Sequence, residues 1–480
     1  MIMKKVFTYI IVAVVSLGAV SCRDFLEKAP VLSQSTEITL SSYDGLDKAT
    51  LGAYATLAGT SWYGGERILE GEMRSGNGVK NANHNSNRYA TQQNWNYTSD
   101  ATSGLWSSAY VTISRANNVI DALETIEGAD PQDLNNLKAE NLFIRALSHF
   151  DLVTLFAQPY SYATTSGASE KAKLGVPYVF HTDPAGEPAR ETVAQTYDYI
   201  VADLLEAEKI IDPGYVRSGV ADKKAAVSIY AIQALLSRVY LYMGQWQNAA
   251  NYATKVIESG AFELYNPANY VDVWKQATGG SEVIFEVYID INNRSNLNPS
   301  YMTYPGGAYG DCLASPELIG LYEDSDIRLQ AYTAGDESDP SLYWTLKYAG
   351  KGVGLPEANN TVVLRLSEMY LNRAEAIVRG ASVAGVTALS DLSAITEKRG
   401  ASAYGAVGME AIKAERRKEL AWEGHYFFDK ARWNDAVVRP ASWNLNAAYQ
   451  NISFPSYRWA LPIPKRELEV NHNLVQNENY

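Results

Sequence analysis

Side chains that could bind a polyhydroxylated ligand crowd into one stretch of the chain, between residues 62 and 110. Trp95 and Tyr97 follow a run rich in Asn, Gln and Arg, and Asp100 comes shortly after them. Sugar rings offer apolar C–H faces edged by hydroxyls, so they are bound by aromatic rings flanked by amide, carboxylate or guanidinium groups. The pattern therefore predicts a sugar-binding platform around Trp95 and Tyr97.

The candidate site also includes polar residues before the platform and tyrosines of a second loop-like stretch, which would supply the opposite wall. The predicted ligand-binding residues are Glu72, Arg74, Asn77, Arg88, Tyr89, Trp95, Tyr97, Asp100, Tyr301, Tyr304 and Tyr309. The alternative is a solvated loop whose rings only fix it to the scaffold.

The aromatic composition supports this interpretation. The chain has 33 Tyr and 10 Trp but only 11 Phe, and no Phe occurs in residues 26–142 or 286–426. Tyr and Trp carry a polar tip on an apolar body, which suits a ring that water or a polar ligand can reach. Packing of these rings in the core is the alternative.

Composition excludes several other functions. With 41 basic and 54 acidic residues the formal net charge is −13, and no basic block is present to neutralise nucleic-acid phosphates. The five His are scattered, and the common zinc, nucleotide and serine-hydrolase motifs do not occur. We therefore expect no catalytic residue, no metal and no other cofactor.

The N-terminus has the pattern of an export signal. Lys4 and Lys5 precede an apolar run over residues 6–20, which is too short for an ordinary membrane span and ends in small residues. Cys22 follows, in the position of a lipoprotein acylation site, so we predict a signal peptide over residues 1–21 and lipidation at Cys22. A soluble exported protein is the alternative. Cys312 is then left without a partner and is expected to be buried and inert.

Helical periodicity dominates the mature chain and predicts the elements that must position the site. Asp130 and Pro131 have the residue types of a helix cap and first turn. Predicted helices cover residues 44–57, 113–123, 131–156, 192–211, 224–243, 248–258 and 388–398. The stretches 59–104 and 262–354 lack this period, apart from a strand-like run over residues 282–289.

Two helices share a short internal repeat. Residues 237–241 (SRVYL) match residues 367–371 (SEMYL), and the first copy is followed by a break and a partner helix, as in tetratricopeptide repeats. We predict stacked helical hairpins around a continuous core. A single domain would then span residues 22–480, with a helical scaffold over 22–260 carrying a binding loop at 59–104, a loop-rich insertion at 261–354 and a C-terminal region at 355–480.

Several motifs together resemble the SusD/RagB family of outer-membrane nutrient-binding lipoproteins along nearly the whole mature length. They are residues 22–27 (CRDFLE), 145–156 (RALSHFDLVTLF), 364–376 (LRLSEMYLNRAEA), 415–429 (ERRKELAWEGHYFFD) and 461–464 (LPIP). In some glycan-binding members a W-x-W-x-x-N-like element contributes to the platform, and residues 95–100 (WNYTSD) are similar, with Tyr and Asp at the second and third positions.

The resemblance implies a mostly α-helical, tetratricopeptide-like fold with a loop-rich ligand-binding face. It also implies a lipid anchor and a non-catalytic role at the cell surface, in which captured oligosaccharides pass to a SusC-like TonB-dependent transporter. Capture of peptides, a glycoside hydrolase on a helical scaffold and a periplasmic protein-binding scaffold are the alternatives. Glu415 and Glu419 resemble an acid–base pair, but charge pairing along a helix explains them better.

Overall fold

Helices make up most of the computed structural model, which describes residues 39–82, 86–220, 222–290, 292, 310–334, 341–351, 358–443 and 445–480. The helices in these ranges are α1 Tyr43–Leu57, α2 Glu66–Ser75, α3 Ala90–Asn94, α4 Ser103–Leu123, α5 Pro131–Phe156, α6 Tyr160–Ala163, α7 Val193–Ile210, α8 Ile229–Tyr242, α9 Trp246–Glu258, α10 Pro316–Ile319, α11 Leu366–Val378, α12 Ala388–Arg399, α13 Met409–Glu419, α14 Tyr426–Trp433, α15 Ala447–Gln450 and α16 Lys465–Val470. None of them is long and apolar enough to cross a membrane.

Short antiparallel ladders supply the strands of the described ranges. They are β1 Gly78–Lys80 with β3 Cys312–Ala314, β2 Val283–Val287 with β6 Thr361–Arg365, β4 Tyr332–Ala334 with β5 Tyr343–Thr345, and β7 Val437–Val438 with β8 Asn451–Ile452. The β2–β6 ladder confirms the predicted strand, and it joins the loop-rich insertion to the C-terminal region.

Local capping explains where the long helices begin. The Asp130 side chain accepts a hydrogen bond from the Gln132 N–H, and Pro131 opens α5, as the sequence predicts. A capping box between Thr192 and Gln195 starts α7. Ser228 caps α8, so that helix begins later than its periodicity predicts.

Four helix pairs pack against one another in chain order, which confirms the predicted fold class. α1 packs on α4, α5 on α7, α8 on α9 and α11 on α12, and successive pairs also touch through α4–α5, α7–α8 and α9–α11. The two copies of the short repeat lie in α8 and α11, the first helix of their pairs. Buried residues of α5, α7, α8 and α9 lie mainly in one large hydrophobic cluster, which Met369 and Ala376 of α11 join, whereas Leu371, Ala374 and the buried residues of α12 form a second cluster.

The stretch predicted to be irregular, residues 59–104, contains α2, α3 and the start of α4, so this part of the prediction is wrong. In α2 the apolar residues Ile68, Leu69 and Met73 alternate with the charged residues Glu70 and Arg74, and all of them are buried. Polar residues on every side of a helix conceal its period in the sequence. Here they are tolerated because they pair with other interior groups.

A buried network of charges joins the loop-rich insertion to the C-terminal helices. The Glu419 carboxylate accepts from the guanidinium groups of Arg365 at 2.7 Å and Arg399 at 2.8 Å, and from Arg328 at 3.0 Å. Glu282 at the start of the β2 segment contacts Arg365 at 2.9 Å and Arg399 at 2.5 Å. The network therefore connects five separate parts of the chain through side chains that are all buried.

Electrostatics keep Glu419 ionised in this position. Burial alone would raise its pKa, but Arg399, Arg365 and Arg328 outweigh that effect and hold the pKa well below its usual range. Glu415 also pairs with Arg328, at 2.6 Å. Both carboxylates are thus ion-pair partners, but among the described residues only the contact of Glu415 with Lys418 at 3.0 Å runs along the helix, and the other partners come from distant segments.

Replacing Glu419 with Gln should lower the free energy of unfolding by about 3–5 kcal/mol, because it leaves three guanidinium groups in the interior with reduced compensation. Denaturant unfolding at neutral pH measures this loss. Since the folded pKa of Glu419 lies below its unfolded value, its stabilisation is present above about pH 4 and is lost as pH falls through the folded pKa. The difference between wild type and variant should therefore shrink on acidification.

Glu397→Gln is the matched control, because Glu397 is exposed on the neighbouring helix α12. It should change stability by no more than about 0.5 kcal/mol. Equal losses in the two variants would contradict a special role for the network.

Candidate functional site

The two rings at the centre of the predicted platform lie in the protein interior. Trp95 is 2% exposed and Tyr97 is 7% exposed, and both belong to the main hydrophobic core. The Trp95 indole meets the rings of Phe427 and Trp459 edge-on, with centroids 5.4 and 5.2 Å apart. A ligand therefore has no access to these ring faces in this conformation.

The protein's own Arg74 occupies the space between the rings. Its Cζ lies 3.8 Å from the ring centroid of Phe427, 5.4 Å from that of Trp95 and 5.3 Å from that of Tyr97. An aromatic box around a guanidinium group is a favourable cation–π arrangement when the cation is desolvated. The Arg74 side chain therefore occupies the space that the predicted platform would offer to a ligand.

The polar tips of the two rings are also used internally. The Trp95 indole N–H donates to the carbonyl of Arg74 at 3.1 Å, and the Tyr97 hydroxyl donates to the Glu70 carboxylate at 2.6 Å. Burial, together with the Glu70 charge, raises the pKa of Tyr97 well above its usual value. Both aromatic side chains are therefore satisfied core residues.

Glu72 and Asn77 are buried with them. The Glu72 carboxylate accepts from the Asn77 amide at 2.9 Å and from the backbone N–H of Gly424 at 2.8 Å, and Arg417 donates to the Asn77 side chain at 2.7 Å. Burial raises the pKa of Glu72 to about 7, although these donors oppose the shift. The two residues connect α2 to the C-terminal region.

The prediction of an exposed platform formed by Glu72, Arg74, Asn77, Trp95 and Tyr97 is wrong. The sequence correctly indicated that aromatic and polar groups come together, but their partners are each other. A residue pattern that would suit a sugar also suits a buried cation with its counter-charges, because both need rings and hydrogen-bonding groups in one place.

Three of the predicted residues do lie at the surface. The Arg88 side chain is 42% exposed and lies 3.3 Å from the Asp311 carboxylate, while Tyr89 is half-buried and Asp100 is exposed. Ligand binding by these three stays a prediction. Tyr301, Tyr304, Tyr309 and the lipidation residue Cys22 lie outside the residues that the structure describes.

Cys312 is completely buried in β3. Burial raises the pKa of its thiol well above the usual value, and the charge of Asp311 adds to the shift. Such a thiol is unreactive at neutral pH, which confirms the sequence-based expectation.

A cavity of about 450 Å³, which we call the α1–β2 cavity, opens between α1, the segment 219–225 and the end of β2. Its walls combine apolar groups with two half-buried rings, Tyr54 and Tyr288, and with the carboxyl groups of Asp222, Glu286 and Asp290. The volume lies within the range of about 300–1,000 Å³ that is usual for small-ligand sites. Within the part of the chain that the structure describes, this cavity is the candidate ligand site.

Two carboxyl groups in the cavity wall form a hydrogen-bonded pair. Burial raises the pKa of Glu286 well above its usual value, and the neighbouring Asp222 raises it further. The Asn360 amide donates to Glu286 at 2.5 Å, and the backbone N–H of Lys224 donates to Asp222 at 2.9 Å. The two side chains therefore place polar carboxyl groups, held by donors from neighbouring segments, in an otherwise largely apolar wall.

The two tyrosines differ in how strongly they are held. The Tyr54 hydroxyl donates to Glu140 at 2.6 Å, which leaves only its ring to line the cavity. The Tyr288 ring has the Lys351 ammonium 4.0 Å from its centroid, and that ammonium also donates to the Ile289 carbonyl at 2.6 Å. Tyr288 is thus a positioned aromatic surface at the rim.

The sequence pattern does not predict this cavity. Neither Tyr288 nor the carboxyl pair of Asp222 and Glu286 is among the predicted ligand-binding residues. The available signal was Glu286, a carboxylate inside an otherwise apolar strand. Such a residue is costly to bury unless it is paired, so its presence indicates a partner nearby.

Stacked helical hairpins that carry a loop-rich side with a ligand-sized cavity define a helical-repeat scaffold of the tetratricopeptide type. A family model described as starch-binding and associating with the outer membrane matches residues 24–241, and the model of the SusD family matches residues 347–480. The chain belongs to the SusD family. Proteins of this family associate with the outer membrane.

Individual relatives agree with this assignment. A SusD superfamily protein of Bacteroides thetaiotaomicron is 30% identical, with a TM-score of 0.80 over 91% of this chain and 100% of the other. The starch-binding protein SusD of the same species is 23% identical over 99% of both chains. Surface glycan-binding protein A of that species, in complex with laminarihexaose, is 21% identical and shares the fold, with a TM-score of 0.73 over 92% of this chain and 100% of the other.

Replacing Trp95 with Ala should destabilise the protein by about 3–5 kcal/mol, because it opens a cavity beside Phe427 and Trp459. Trp95→Phe keeps a ring and loses mainly the hydrogen bond to the Arg74 carbonyl, so it should cost less, about 1–2 kcal/mol beyond any repacking. Urea unfolding of the two variants measures both values. An unchanged midpoint for Trp95→Ala would show that the ring is not a core residue.

Proposed function

We propose that this protein is a non-catalytic surface lipoprotein that captures oligosaccharides and delivers them to a SusC-like TonB-dependent transporter. Membership of the SusD family supports the class of function, since relatives in the family are named for starch or glycan binding. The observation that carries the proposal in this chain is the α1–β2 cavity, whose lining suits a sugar chain.

The lining matches the chemistry of a carbohydrate. Tyr54 and Tyr288 offer ring surface to the apolar C–H faces of a sugar, and Leu51 and Val287 extend that surface. The carboxyl groups of Asp222, Glu286 and Asp290 line the cavity and can accept hydrogen bonds from sugar hydroxyls. The cavity is open on one side, so it can hold part of a longer chain.

The family supports the delivery step, and the N-terminal sequence pattern supports the lipid anchor. Acylation at Cys22 would hold the mature chain on the outer membrane, and an exterior orientation would place the cavity where glycans arrive. The absence of catalysis is part of the same proposal.

The test is a titration of the full-length protein, purified in detergent, against starch, β-glucan and other oligosaccharides, with peptides as a separate set. At least one oligosaccharide class should bind, and Tyr288→Ala should weaken that binding at least tenfold because it removes a ring surface at the rim. Calorimetry gives the affinities, and chromatography of the bound glycan should show no cleavage product.

Two variants make this test specific. Tyr288→Phe retains the ring and should retain most of the affinity, whereas Arg88→Ala tests the surface around Arg88 and Tyr89, where ligand binding stays a prediction. Loss of affinity in Arg88→Ala alone would move the site to that surface. Binding of peptides but of no glycan would overturn the proposed ligand class.

A further inference from the structure

A second cavity, of about 210 Å³, lies where the end of the chain packs against the segment after α5. We call it the C-terminal cavity, and the residues that define it here are Gln158, Tyr162, Lys171, Ser456, Tyr457 and Asn479. It shares no residue with the α1–β2 cavity. Its lining is mostly amides, hydroxyls and two half-buried tyrosine rings.

The walls of this cavity are fixed by internal hydrogen bonds. The Gln158 amide donates to the carbonyls of Ser456 and Tyr457 at 3.2 and 3.3 Å, and the Asn477 amide donates to those of Phe156 and Leu461 at 2.7 and 2.6 Å. A preformed wall loses little conformational entropy when a ligand binds. The cavity is therefore built before any ligand arrives.

Aromatic contacts fix the two tyrosine rings of the cavity. Tyr162 meets Phe454 edge-on with centroids 5.8 Å apart, and Tyr457 meets Tyr480 edge-on at 5.1 Å. Their other surfaces line the cavity. Two rings at one small opening are an arrangement that suits the apolar face of a sugar.

Three other polar groups at the cavity make no hydrogen bond or ion pair with the described residues of the protein. In the described part of the chain, nothing pairs with the Tyr162 hydroxyl, the Lys171 ammonium or the side-chain amide of Asn479. Together they offer donors and acceptors at the cavity, as does the buried side-chain oxygen of Gln158, which has no hydrogen-bond partner among the described residues. Such groups are available for the hydroxyls of a ligand.

We infer that the C-terminal cavity is a second carbohydrate subsite, which takes one sugar residue. Its volume is below the range of about 300–1,000 Å³ that encloses larger ligands, so it has room for a single ring rather than for a chain. The inference rests on the proposed function for its ligand class. The C-terminal cavity would hold one sugar residue of a bound glycan, or a free monosaccharide.

Saturation-transfer NMR on the full-length protein with glucose, galactose, mannose, xylose and glucuronate tests the inference. At least one monosaccharide should give a transfer signal, and Tyr162→Ala and Asn479→Gly should each reduce it at least fivefold. Asn479 has a φ of 63°, which Gly adopts without strain, so the second variant removes the amide and keeps the backbone. Tyr162→Phe keeps the packing against Phe454 and removes only the hydroxyl, so it should reduce the signal less than Tyr162→Ala does.

Tyr288→Ala separates the two sites. If the monosaccharide signal survives Tyr288→Ala and is lost in the C-terminal variants, the subsite stands, even when no oligosaccharide binds the α1–β2 cavity. If the signal is lost only in Tyr288→Ala, or is absent from the wild-type protein, or survives both C-terminal variants, the inference is overturned. The oligosaccharide titration decides the proposed function separately.

Discussion

Glu419 surrounded by three guanidinium groups is the interaction on which the loop-rich half of the structure depends. A buried carboxylate is unfavourable unless its charge and hydrogen bonds are fully compensated. Compensation by Arg328, Arg365 and Arg399 requires the turn at 327–331, strand β6 and helix α12 to reach the same point. Segments whose apolar residues form small clusters apart from the main core are thereby fixed to the C-terminal helices.

The candidate ligand site follows from that constraint. Glu282 contacts Arg365 and Arg399, and the backbone N–H of Leu366 donates to the Glu282 carbonyl at 2.9 Å. Strand β2 starts immediately afterwards and leads to Glu286 and Tyr288 in the cavity wall. The charge network thus sets the position of one wall, while the repeat helix α1 provides the other.

The abundance of Tyr and Trp also reflects the need to satisfy polar groups that are buried in the interior. Many of these rings lie inside and use their polar tips on interior carbonyls: the Trp344 indole donates to Gly310 at 3.0 Å, and the Tyr348 hydroxyl donates to Trp422 at 2.8 Å. Phe cannot satisfy a buried carbonyl, but Tyr and Trp can. The excess of Tyr over Phe therefore reflects, in large part, an interior with many polar groups rather than an exposed platform.

Local signals in the sequence predicted the parts of the fold that local interactions determine. The residue types of Asp130 and Pro131 correctly predict where α5 begins. The repeat at residues 237–241 and 367–371 correctly predicts two equivalent helices. Helix α2 was missed because its charged residues pair with groups distant in sequence, such as Arg74 with the Arg458 carbonyl. The α1–β2 cavity was missed for the same reason, since Tyr54 and Glu286 come together only through tertiary packing.

Hydrogen exchange of wild type and Glu419→Gln, followed by mass spectrometry, tests most directly whether the charge network holds the loop-rich segments in place. Amides of β2 and β5 should lose protection in the variant, while those of the α5–α7 pair keep it, because local opening follows the interactions that each segment makes. A uniform loss over the whole chain, or unchanged protection of β2, would contradict this account.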